Sequence, residues 1–146
     1  MKQVKRYRRA LRGLGGMTVW VHDVDQHAAE AGLSRQYLQD MVVVKLLDSG
    51  IRALGIGNVP EPPGNPWLNI FVNTVRCEGL YFYVITVRLD EIVRPERNRS
   101  AKTIGTTWET MERGVAPAPK MRERIDKTLE LLLDYFVYDY ITENPS

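Results

Sequence analysis

The chain has very little cysteine: Cys77 stands alone among 146 residues. No internal disulfide can staple the fold, no cysteine-rich metal centre can form, and the domain must stand on packing alone. Histidine is almost as scarce, with only His22 and His27. Long apolar runs are missing too. The first twelve residues carry six basic side chains and no acidic one, but Gly13-Leu14-Gly15-Gly16 follows where a signal peptide needs a continuous apolar core. Neither a signal peptide nor a transmembrane span is expected. The catalytic fingerprints are also lacking. There is no Gly-x-Ser-x-Gly, no P-loop and no dinucleotide-binding motif, and Gly55-Ile56-Gly57 and Gly13-Leu14-Gly15-Gly16 lack the context such motifs require. No cofactor is expected.

What is present is an ordinary globular composition, 44% hydrophobic and 26% charged, enough for one sizeable core. Net charge is +2, but six of the 20 basic residues lie in the first twelve positions, and the remaining 14 face 18 acidic ones. The basic character belongs to a local tail. The expected organisation is a basic flexible arm over residues 1–12 and a single domain over 13–146.

The clearest strand runs from Leu80 to Val93. Tyr81, Tyr83, Ile85, Val87 and Leu89 alternate with Thr86, Arg88 and Asp90, so one face is buried. Residues 17–22 alternate in the same way and form the first strand. Ser34 caps a helix whose stripe is Leu38, Met41, Val42 and Leu46, and Gly50-Ile51 ends it. A short strand over 51–56 precedes a proline-rich loop, and Trp67–Arg76 pairs with the long strand through Cys77-Glu78-Gly79. Residues 101–109 return as a third antiparallel strand, with a bulge marked by Gly105, and 114–119 form a loop. The last helix carries Ile125, Leu129, Leu132, Leu133, Phe136 and Tyr140 on one stripe. This order indicates an α+β two-layer sandwich: a mixed, mostly antiparallel sheet with two helices on one face.

In element order and patterning the chain resembles small bacterial envelope domains of the kind found at the amino terminus of TolB and in the periplasmic part of CsgG-type proteins. The residues that carry this are the strand Gly16–Val21, the helix exit Leu46–Ile51, the strand Tyr81–Val93, Thr107-Trp108 ending a strand, and the final helix running to Phe136 and Asn144-Pro145. The resemblance implies a non-enzymatic domain engaged in envelope assembly or protein interaction, in the periplasm or at the envelope.

Three candidate sites stand out. His22, Asp23, Asp25 and His27, with Glu30 beyond, offer imidazoles and carboxylates within a short span, and they can ligate a metal if a turn at Val24 or Asp25 makes them converge. The alternative is a polar strand exit whose carboxylates cap backbone donors. Nucleic acid or another anion is offered Lys2, Lys5, Arg6, Arg8 and Arg9 on the arm and Arg94, Arg97, Arg99 and Lys102 around one turn. Trp20, Trp67, Phe71 and Phe82 fall on the strand faces away from the helices, an interface expected to be covered by loops or by a second copy. Asp90 and Glu91 should point to opposite faces, and Cys77 reads as a small buried hydrophobe. The expected function is a non-enzymatic binding or assembly module of the bacterial envelope acting through protein contacts or self-association. The alternative is a cytoplasmic nucleic-acid-binding protein using its arm and the 94–102 turn.

Overall fold

The computed structural model of the chain describes residues 7–54 and 64–146. Strand β1 (Met17–Val21) is followed by the helices α1 (Gln26–Glu30) and α2 (Arg35–Asp48). Then come β2 (Ala53–Leu54), β3 (Trp67–Cys77), β4 (Leu80–Val93), β5 (Thr103–Pro117) and α3 (Met121–Glu143). The strands lie in the order β2-β1-β3-β4-β5. β1 runs parallel to both of its neighbours, while β3, β4 and β5 are antiparallel. The fold is α+β, with α2 over β1 and α3 over β4 and β5.

Alternation decides which face the helices cover. Met17, Val19, Val21, Leu68, Ile70, Ile85, Val87, Leu89 and Trp108 are fully buried and pack on Leu38, Val42, Leu46, Ile125, Leu129, Leu133 and Phe136. Each such side chain contributes roughly 1.5–3 kcal/mol by leaving water, before the entropy of ordering it is subtracted. Trp108 is the largest of them. Its Nε1–H donates to Asp139 Oδ2 at 3.0 Å, and its ring meets Phe136 edge-on.

The helix boundaries follow their caps. Ser34 Oγ accepts from the Tyr37 amide at 3.0 Å and starts α2. At its other end Gly50 adopts φ +80°, the Ile51 amide donates back to the Leu46 carbonyl and the Gly50 amide to that of Leu47, and Ile51 is buried against the last turn. The β3–β4 hairpin turns through Glu78-Gly79, both at positive φ, as a two-residue turn requires if it is to match the strand twist.

Four expectations are corrected. Residues 8–12 are docked, not a flexible arm. Arg8–Leu11 forms a 3₁₀ turn with Leu11 in the core, Arg8 and Arg12 both pair with Glu143, and Asn144 bonds the Leu11 carbonyl and the Gly13 amide. Strand β5 runs on through the predicted 114–119 loop to Pro117, because β4 is long enough to pair with all of it; Trp108 is therefore mid-strand and does not end it. The bulge lies at Thr107, where the register steps from Leu89–Trp108 to Asp90–Thr106. Gly105 is not its cause but makes room for Val93 across the ladder. The second strand is only Ala53–Leu54, and the rest of the predicted 51–56 segment beyond it, at 55–56, falls outside the described residues.

Candidate functional site

Among the described residues no helix covers the other face of the sheet, and the even-numbered residues of β1 and β4 and the odd-numbered ones of β3 project there. In the β3–β4 register Trp67 faces Asp90, Asn69 faces Arg88 and Phe71 faces Thr86; parallel β1 brings Trp20 beside Asn69. The result is a row of rings. Trp67 and Trp20 lie 5.5 Å apart between centroids, Trp20 and His22 6.0 Å, and His22 stacks on Phe71 at 4.0 Å. Cations close the row at both sides: Arg35 sits 5.9 Å over Trp20 and Arg88 4.8 Å over Phe71.

A polar chain runs beside the rings. The Asn69 Oδ1 lies 3.1 Å from His22 Nε2, and the amide's Nδ2 donates to Asp90 Oδ2 at 2.6 Å, so His22 Nε2 carries the proton in this arrangement. Arg88 Nε donates to the same Asp90 oxygen at 2.9 Å and Thr106 Oγ1 to the other at 2.6 Å. Three donors therefore hold a nearly buried carboxylate in place. Trp20, His22, Trp67, Asn69, Ile92 and Ile104 border a groove of about 410 Å³, together with Asp90 and Glu91. At the bulge Thr107 leaves the ladder and its hydroxyl donates to Glu91 Oε2 at 2.6 Å, while Asp90 is held by Thr106.

The predicted interface residues divide. Trp20, Trp67 and Phe71 come together, half-buried against one another. Phe82 stands apart at the far end of the same face, exposed between Val75 and Val115, its direct cross-strand neighbours.

The predicted metal ligands do not converge. Asp25 caps α1 by accepting from the Ala28 amide at 3.0 Å, and it takes the amide and hydroxyl of Thr74. Partial burial pushes its carboxyl up, but the bonds from Thr74 and Ala28 and the neighbouring His27 outweigh this and hold it below its ordinary value. His22 is on the open face, Asp23 is exposed, and His27 packs edge-on against Tyr81 under the helix layer. Among the described residues no three histidine, cysteine or acidic side chains are grouped to hold a metal ion. The chain bends at Asp25 to start α1, and that capping turn separates the ligands.

The basic candidates also divide. Lys2, Lys5 and Arg6 lie outside the described residues. Arg8 is engaged with Glu143, and Arg9 is exposed on the 3₁₀ turn. Arg94, Arg97, Arg99 and Lys102 are exposed on the β4–β5 connection, which is braced by Arg94 Nη1 donating to the Arg99 carbonyl and by the Ala101 and Asn98 amides. Cys77 is exposed at the hairpin end rather than buried. No described helix is long and apolar enough to cross a membrane.

Sequence reasoning missed Asn69, Arg88 and Arg35. The first two were within reach, because counting back from the Glu78-Gly79 turn places them directly opposite each other. Arg35 over Trp20 depends on where α2 lies across the sheet, which no local pattern encodes. Compared with known proteins, the chain matches no protein-family model and no curated protein.

Proposed function

We propose that this chain is a non-enzymatic binding or assembly module, working through protein contacts made by the helix-free face of its sheet, in a bacterial envelope as its element order suggests. The observation that carries this is the row Trp67–Trp20–His22–Phe71 with Arg35 over Trp20 and Arg88 over Phe71. Aromatic and arginine side chains held rigidly on a sheet supply large contact area at little entropic cost, the usual make-up of the centre of a protein interface. The polar chain beside them favours the same reading, because its groups are already paired with one another and serve to fix the platform. A photo-cross-linking residue at Phe71 in the full chain, expressed in the source cells, tests it. Protein adducts at Phe71 with none from a control at exposed Leu131 on α3 are expected. Absence of protein adducts at Phe71 overturns the reading.

A second reading rests on the four exposed cations at 94–102, which lie next to the Ile92–Ile104 end of the groove. Single-stranded nucleic acid held on the rings would lay its phosphates there. Since residues 8–12 are docked, truncating the arm would damage the domain and cannot test this. Arg94→Glu with Arg97→Glu can. It should abolish a salt-dependent affinity for single strands, and nuclease-sensitive adducts at Phe71 would replace the protein ones.

A further inference from the structure

The two edges of the sheet are treated differently. Beyond the two residues of β2, the outer side of β1 is closed by a side chain: Gln39 of α2 accepts from the Val21 amide at 2.9 Å and donates to the Val19 carbonyl at 2.8 Å. Among the described residues β5, fifteen residues long, has no strand beyond it. The direction of its outer groups follows from the ladder. The His22 amide bonds the Ile70 carbonyl, so even residues of β3 face β1 and odd ones face β4. Carried across the β3–β4 and β4–β5 registers, this turns Glu109, Met111, Arg113 and Val115 outward. Two contacts agree: the Arg113 amide is met only by Glu112 Oε1 at 3.4 Å, and the Val115 carbonyl by Arg124 at 3.3 Å. No backbone partner reaches these residues from outside among the described residues.

The charges along this edge are self-complementary. Glu109 and Arg113 lie two residues either side of Met111, on the helix-free face, and neither side chain makes an ion pair among the described residues. We infer that β5 pairs antiparallel with β5 of a second copy about a two-fold axis at Met111, joining two sheets into one. In that register each outward residue meets an outward residue, Met111 faces Met111, and Glu109 of each copy lies opposite Arg113 of the other. The neighbouring registers also set outward residues opposite one another but lose the charge match. An axis at Glu109, Glu112 or Arg113 sets like charges face to face, and one at Thr110 sets Glu109 against Met111. Opposite charges directly across a ladder favour the pairing and like charges oppose it, and a closed two-fold contact satisfies both edges at once. The inference rests on the reading of this chain as a protein-binding module and makes a second copy the partner at this edge.

Sedimentation equilibrium on the full chain tests it. Wild type is expected to dimerise, and Glu109→Arg or Arg113→Glu alone should weaken the dimer by about tenfold or more, since each sets two like-charged pairs in place of two opposite ones. The double exchange Glu109→Arg/Arg113→Glu should restore it. Circular dichroism confirms that each variant is folded. A second measurement does not depend on charge. In a hydrogen-bonded antiparallel pair the Cα atoms are about 5.5 Å apart, within disulfide range, so Met111→Cys in a Cys77→Ser background should cross-link on oxidation. Wild type that stays monomeric at the highest attainable concentration overturns the inference, as does dimerisation indifferent to all three charge variants. Heterologous protein adducts at Phe71 in such a monomer would leave the binding reading standing and remove only the second copy.

Discussion

At the scale of single residues, a few side chains and one missing side chain hold backbone and sheet in register. Gln39 is buried and does for β1 what a longer neighbouring strand would do, satisfying one donor and one acceptor. Gln39→Ala leaves both without partners, and the expected cost is about 2–4 kcal/mol in a urea titration, because each orphaned buried group loses its full desolvation energy. Gly114 sits directly across the ladder from Tyr83, whose ring covers it on the way to Thr128 on α3. A Cβ there would lie 2.3 Å from the Tyr83 hydroxyl oxygen. Gly114→Val should therefore cost about 1–3 kcal/mol by displacing a buried ring, and Tyr83→Ala in the Gly114→Val background should add less than it does alone. Asp25 gives the fold an acid dependence. Its carboxyl is held below its ordinary value of 3.8 in the folded chain, so the stability it contributes is present above that pH and is lost as pH falls through the lower folded value. The difference in stability between wild type and Asp25→Asn should be largest near neutrality and shrink below about pH 3.8.

At the scale of elements, helix ends were legible and strand ends were not. Ser34 and Gly50-Ile51 bracket α2 because caps are local chemistry. The end of β5 is a property of its partner: residues 114–119 hold Gly114 and Pro117 and read as a loop, yet β4 offers residues 80–83 to pair with 114–117. The start of the chain was misread for a similar reason. A segment with six basic residues looks solvated, but Leu11 is fully buried and Glu143 and Asn144, more than 130 positions away, supply the bonds that dock it. Leu11→Ala should cost about 2–5 kcal/mol, as for a buried leucine, whereas a free arm would show no change. Thermal unfolding distinguishes the two.

At the scale of the whole molecule, the helix layer and the sheet are a single core. α3 supplies Ile125, Leu129, Leu132, Leu133 and Phe136 to it, all fully buried. A chain ending at Lys120 would expose the inner faces of β4 and β5 together and should show no cooperative unfolding transition by calorimetry. The opposite face is organised at this scale too. Its ring row joins β1 to β3, residues nearly fifty positions apart, and a polar chain continues it onto β4 and β5.

The sequence by itself determined the α+β class, which residues of β1, β3 and β4 face the helices, the caps of α2 and the register of the β3–β4 hairpin. Each follows from a period of two or 3.6, from a cap or from a tight turn, all of which act over a few residues. Tertiary structure alone decided the order β2-β1-β3-β4-β5, the bulge that frees Thr107 to bond Glu91, the docking of Leu11, and the contrast, among the described residues, between an edge closed by Gln39 and one left open along β5. These depend on which strand lies beside which. A strand's pattern records only how much of each face is buried and not what covers it, so two neighbours with equal alternation are indistinguishable until the chain has packed.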